Sequence, residues 1–208
     1  MDERSFMAPG ARLILASTSP SRASILRAAG LEFEQIGSGV DEVALRARLA
    51  LDGVTGPQAV AEALARAKAL AVSAAHRDAF VIGGDQVLNM DGAVWDKPGG
   101  LAAARAQLEA MRGARVTLHS AVCVARSGVA LWEAAPAAHV RFRAFSETFQ
   151  ESYLSAVSPD AFDCVGACQV EGFGAQLLDA VEGDLFTVMG LPLLPLLGFL
   201  RRAGVVRE

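Results

Sequence analysis

Between Leu13 and Gly30 the chain spells out a strand, a polar loop and a helix, and no other stretch limits the fold as much. Leu13-Ile14-Leu15 is a short aliphatic strand that runs into Ala16-Ser17-Thr18-Ser19-Pro20. Ser19 suits the N-cap, and Pro20 suits the first helical position, where a missing N–H costs nothing. Ile25, Leu26 and Ala29 give the helix an apolar face, and Gly30 ends it as a C-cap. Such a loop directs free N–H groups and the positive end of a helix dipole outward, which is a phosphate-binding geometry. Arg22 adds a positive charge in the first turn, where the helix itself does not want one. An ordinary capped helix start with an exposed arginine accounts for the same residues equally well.

Downstream, Val60, Leu64, Ala67 and Ala71 recur at helical spacing and predict a helix over 57–75, with Lys68 beside the stripe. Phe80-Val81-Ile82 reads as a buried strand ending at Gly83-Gly84-Asp85, followed by Gln86-Val87-Leu88 and a turn at Asp91-Gly92. Two glycines before an acid would let a ligand approach the backbone closely. A helix is expected over 101–112, closed by Gly113, and then strands over 115–126, 129–133 and 138–145, the first two joined at Ser127-Gly128. Ser146 caps a helix reaching to about Val157, where Pro159 blocks its continuation. Short strands are expected over 165–170 and 175–180, and a last helix over 192–202. Residues 37–56 read as the most loop-like stretch and contain Asp41-Glu42. Helices alternating with strands, then a series of hairpins, predict an α/β protein with a mixed sheet, in three layers or in two lobes around a cleft.

Bulk properties exclude several functions. With 208 residues, 52% of them hydrophobic, the chain can bury a sizeable core as one large domain or two small ones, and disorder is set aside. Nineteen basic residues against 23 acidic ones give a net charge of -4, the wrong sign for a protein that grips a polyanionic duplex. A local cluster of Lys and Arg could still hold a small anion, so nucleotides stay open while nucleic acid does not. Cys123, Cys164 and Cys168 are odd in number, and the opening MDERSFMAPG has no apolar core to serve as a leader, so a reduced, cytoplasmic protein is expected. Cys164 and Cys168 lie four apart without further ligands at zinc-site spacing, and His76, His119 and His139 show no metal-site spacing either. The apolar run over 188–200 is too short to span a bilayer and carries Pro192 and Pro195, so no membrane role is expected.

Five places carry polar groups that packing does not call for: Ser17 to Arg22, Asp41-Glu42, Lys68, Asp85-Gln86 and Lys97. Carboxylates can hold Mg²⁺ or Mn²⁺ through oxygen, while Arg and Lys neutralise phosphate oxygens. Phosphoryl transfer needs both, since its transition state is stabilised by positioning and charge. Singly each has an ordinary reading, Lys68 as a snorkelling surface lysine and Asp41-Glu42 as solvated loop acids. Asp85 is the best of them, because an acid straight after a buried strand is costly to desolvate unless it is paired or binds metal.

The stretches LILASTSPSR (13–22), VDE (40–42), AKA around Lys68, VIGGDQV (81–87), DKP (96–98), FRAFSE (142–147), EGFG, EGD and VMGLPL stand in an order and spacing that resemble the Maf family, nearly end to end. The resemblance implies one Maf-like domain over 1–208 with the inosine-triphosphatase-like fold, a mixed twisted sheet flanked by helices in two lobes. It implies hydrolysis of a nucleoside triphosphate to the monophosphate and pyrophosphate, with Mg²⁺ or Mn²⁺ and in a house-cleaning role. By the same resemblance Asp85 is the catalytic acid/base, Glu42 assists with metal beside it, Lys68 and Lys97 serve catalysis, and Ser17, Ser19 and Arg22 hold phosphates.

Gln86 and Glu171 resemble the 7-methyl-GTP type, where the dTTP/UTP type has Thr and Gln. A carboxylate suits the adjacent donors of a guanine edge. Ser21 departs from both types, which place a large or basic side chain there; Gly84 and His119-Ser120 are smaller departures. Readings from other classes are a nucleotide-binding regulator of division that does not hydrolyse, and a nucleotidyltransferase or sugar-phosphate enzyme, for which no second substrate pocket has a signature. The expected partner is a small-molecule nucleotide, and the resemblance is compatible with a homodimer.

Overall fold

The computed structural model describes residues 6–207; the first five, part of the opening stretch read above for a leader, lie outside the described residues. In chain order the elements are β1 (Leu13–Leu15), α1 (Pro20–Ala28), β2 (Glu34–Gln35), α2 (Glu42–Leu51), α3 (Pro57–Ala75), β3 (Phe80–Met90), β4 (Ala93–Trp95) and α4 (Leu101–Met111). Then come β5 (Arg115–Arg126), β6 (Val129–Ala134), β7 (Ala137–Phe142), α5 (Glu147–Ala156), three 3₁₀ segments, β8 (Leu178–Glu182), α6 (Leu185–Val188) and α7 (Leu193–Arg202). The strands run in the order β2-β1-β3-β5-β7-β8, with β4 on β3 and β6 on β5. Pairing is parallel for β1 with β2 and β3, and antiparallel for β5 with β6 and β7 and for β7 with β8, so the sheet is mixed as expected.

The chain divides into two compact units, one of residues 6–86, 120–136 and 190–207, the other of Val87–His119 and Ala137–Met189. In the first, the aliphatic triplet of β1 is fully buried and pairs in register with Phe80, Val81 and Ile82. Each such side chain contributes about 1.5–3 kcal/mol through burial. Ile14, Val72 and Val81 share one cluster, and Trp132 stacks on Phe199 at 5.3 Å between centroids. The second unit has its own core, built around Leu88, Leu108, Met111, Val140, Phe142, Tyr153 and Leu177. Tyr153 brings its hydroxyl inside by donating to the Ala167 carbonyl at 2.7 Å.

Local signals hold where short-range chemistry suffices. Asp91-Gly92 and Ser127-Gly128 both adopt positive φ, the backbone of a two-residue hairpin turn, and they join β3 to β4 and β5 to β6. Four expectations fail. Residues 37–56 are not mainly loop, since α2 occupies Glu42–Leu51; the helix buries none of its residues, so it lacks the periodic stripe that would betray it. Residues 165–170 form no strand: Val165–Ala167 is a 3₁₀ turn with Gly166 at φ 71 and Ala167 at φ 49. A 3₁₀ segment likewise covers Phe173–Leu177, so β8 starts only at Leu178. Finally, β3 does not end at Gly83 but continues to Met90.

Candidate active site

The site begins at the loop between β1 and α1. Pro20 opens the helix and Ser19 caps it, its Oγ accepting from the Arg22 amide at 3.4 Å. Ser17, 7% exposed, accepts through Oγ from the Ser19 amide and from Arg22 Nη1, each at 3.2 Å. Arg22 turns back over its own loop, and its Nε donates to the Gly190 carbonyl at 2.8 Å. Withdrawal from water pulls the Arg22 pKa below the ordinary arginine value, while the charges of Asp85 and then Glu42 act in the opposite direction. Ser21, next to it, is half-buried.

The pleat of β3 deals out the next residues. Successive side chains alternate, so Gly83 and Asp85 share one face and Gly84 and Gln86 the other. On the first face α3 comes so close that a Cβ on Gly83 would lie inside the Ala65 carbonyl oxygen and 2.6 Å from the Ala69 amide nitrogen. On the second, a Cβ on Gly84 would meet Arg22 Nε at 3.1 Å. The two glycines therefore admit a helix and an arginine; the expectation that they admit a ligand is replaced by this packing. Gln86, half-buried, donates through Nε2 to Ser120 Oγ at 2.9 Å.

Close approach of α3 explains Lys68. It belongs to the buried stripe of that helix with Leu64, Ala65 and Val72, so the snorkelling reading is wrong. At 5% exposure its ammonium can only be held by acceptors, and it has two: Asp85 Oδ1 at 2.7 Å and Glu42 Oε1 at 2.8 Å. Glu42 is the first residue of α2, next to Asp41, whose Oδ1 caps the helix by accepting from Ala44 N at 2.9 Å. Asp41 thus serves the helix, and Glu42 serves the site. Asp85 is 4% exposed, and its second oxygen, Oδ2, is buried without a hydrogen-bond donor. Arg46 Nη2 stands 3.7 Å from it.

One unit thus brings together Ser17, Ser19, Arg22, Glu42, Lys68, Asp85 and Gln86. Arg46, Ser120 and Gly190 join them without having been singled out from the sequence as site residues. Arg46 was legible in principle, because a helix starting at Glu42 puts the residue four positions on along the same face. Gly190 acts through its carbonyl, which carries no side-chain signature. Lys97 and Glu171 belong to the other unit, where both are exposed, Lys97 in the segment after β4 and Glu171 in the turn before Phe173–Leu177. Among the described residues, no three of His, Cys, Asp and Glu gather as a ready-made metal cage.

A mixed α/β sheet whose first loop and helix stand beside a buried lysine shared by two carboxylates brings together groups suited to anion binding and acid/base chemistry. The family description "Maf-like protein" matches residues 12–203, and the chain belongs to that family. It is 46% identical over 194 residues to a nucleoside triphosphate pyrophosphatase of Rhodospirillum rubrum, covering 93% of this chain and 96% of that one. It is 45% identical over 191 residues to a 7-methyl-GTP pyrophosphatase of Brucella suis biovar 1, covering 92% and 96%. To a nucleoside triphosphate pyrophosphatase of Caulobacter vibrioides it is 44% identical over 192 residues, with the same coverage.

Proposed function

We propose that this protein hydrolyses a nucleoside triphosphate to the monophosphate and pyrophosphate, with a 7-methyl-GTP-like base preferred. The observation that carries the reading is Asp85: one oxygen sits on Lys68 at 2.7 Å, and the other is buried with no donor. Leaving a buried acceptor unpaired costs about 1–3 kcal/mol, a cost that a purely structural carboxylate has no reason to carry. Relatives named as pyrophosphatases, matched over nearly the whole chain, support the same reading.

In this reading, water attacks the α phosphorus and its proton passes to Asp85 as the new O–P bond forms. The bond from the α phosphorus to the oxygen bridging to the β phosphate breaks, and pyrophosphate leaves. Arg22, Lys68, Ser17, Ser19 and the helix start neutralise and position the phosphates, which is where catalysis of phosphoryl transfer chiefly lies. The family resemblance assigns Lys97 to catalysis as well. It assigns base selection to Gln86, which donates to Ser120, and to Ser21 and Glu171.

A divalent cation, Mg²⁺ or Mn²⁺, fits these residues. Asp85 Oδ2 lacks a donor, and Glu42 shares its lysine. Magnesium is characteristically held by one or two carboxylates together with the substrate's phosphates, not by a full protein cage. Bound there, it would supply charge neutralisation for the phosphates.

The test is pyrophosphate release with Mg²⁺ or Mn²⁺ across 7-methyl-GTP, GTP, dTTP, UTP and CTP, on the wild type and on Asp85→Asn. Preference for 7-methyl-GTP and a dead, folded Asp85→Asn are expected. Preference for dTTP or UTP would overturn the base assignment alone. No turnover of any triphosphate would favour a nucleotide-binding regulator, and wild-type-like activity of Asp85→Asn would sink the site.

A further inference from the structure

The cations of the site are not equally committed. Lys68 spends its ammonium on Asp85 and Glu42, at 2.7 and 2.8 Å. Arg22 spends Nε on the Gly190 carbonyl and Nη1 on Ser17 Oγ. Arg46 differs from both. It lies one turn after Glu42 on the same face of α2, its side chain is 30% exposed, and among the described residues it pairs with Asp85 Oδ2 at 3.7 Å. That distance is too long for a hydrogen bond. A loose, part-exposed ion pair of this kind contributes little to stability, so holding the fold together does not explain the residue. Its planar fork of five N–H donors, kept at a carboxylate oxygen that lacks a donor, matches the paired oxygens of a phosphate.

We propose that Arg46 is a phosphate-binding residue of this site: it takes the pyrophosphate portion of the substrate, and its contact with Asp85 is the place it keeps when no nucleotide is bound. The proposal rests on the pyrophosphatase reading above and adds to it a residue that neither the motifs nor the relatives' names assign. Once the guanidinium moves to phosphate, Asp85 Oδ2 is left open to water or to a cation. Arg46 therefore links substrate arrival to exposure of the acid/base. Because α2 buries none of its residues, substitution at 46 leaves the core untouched.

The experiment is calorimetric binding of inorganic pyrophosphate, at fixed Mn²⁺, to the wild type, Arg46→Ala and Arg46→Lys, with KM for the best triphosphate and a thermal melt of each. Loss of a charge-assisted contact predicts a Kd for pyrophosphate raised about tenfold to a hundredfold in Arg46→Ala, with KM rising in parallel. Arg46→Lys should recover part of the affinity, keeping the charge but not the fork, and the melting temperature should stay the same. Wild-type binding that Arg46→Ala retains in full overturns this assignment alone. A wild type that neither binds nor releases pyrophosphate overturns the underlying reading and this assignment with it.

Discussion

Gly83→Ala should disable the site without touching one of its charges. The added methyl would stand 2.6 Å from the Ala69 amide nitrogen and closer still to the Ala65 carbonyl oxygen, where ordinary contact begins at 3.4 Å. Both atoms are backbone, so no side chain can turn aside. Helix α3 must retreat by at least about 0.8 Å, and Lys68, between those two residues, retreats with it. Its 2.7 Å contact with Asp85 then lengthens beyond a good hydrogen bond. Overpacking of this kind costs about 1–3 kcal/mol. A displacement near 1 Å in a catalytic arrangement costs roughly a hundredfold in rate. Pyrophosphate release and urea unfolding measure the two effects. Gly84→Ala is the control: its methyl would meet Arg22 Nε and Cδ at 3.1 and 3.2 Å, atoms of a side chain that can shift a few tenths of an ångström. Should Gly83→Ala keep wild-type rate and stability, or Gly84→Ala prove the worse of the two, the packing argument fails.

Two other expectations follow from burial. Lys68→Met removes the cation held between Asp85 and Glu42 and leaves Asp85, 4% exposed, without a hydrogen-bond partner. Breaking a buried pair costs about 3–5 kcal/mol, and the double variant Lys68→Met, Asp85→Asn should recover part of the loss in denaturant unfolding; purely additive losses would refute the pairing. Burial pushes the thiols of Cys123 and Cys168 up to about 12. Near pH 8 their thiolate fraction is then roughly one in ten thousand, so alkylation of the native protein should be far slower than of the urea-unfolded chain. Equal rates in the two states would refute it.

Much of the fold was readable because its signals are local. Ser19-Pro20 starts α1, Pro57 and a stripe of apolar residues make α3, and Asp91-Gly92 and Ser127-Gly128 turn hairpins; each depends on a few neighbouring dihedrals and on one periodicity. Helix α2 was hidden because it buries nothing, and hydrophobic periodicity records only what is buried. The turn at Gly166 and Ala167 was misread as strand because their left-handed backbone follows from packing, Gly166 lying against Leu88 and Met111, residues remote in sequence.

The same division holds for the site. Of the groups fit for anion and acid/base chemistry, Asp85 stood out by itself, because an acid straight after a buried strand is costly to desolvate without a purpose, whereas Ser17, Arg22, Glu42 and Lys68 each had an ordinary reading when taken singly. Only the tertiary structure decided who holds whom. Lys68 and Asp85 are 17 residues apart, and Arg22 and the Gly190 carbonyl are 168 apart. Those pairings depend on α3 lying tight against Gly83 and on the pleat of β3 sending Asp85 and Gln86 to opposite faces. A sequence lists the groups, but hydrogen bonds and ion pairs act over about 3 Å, and that proximity is produced only when the chain packs.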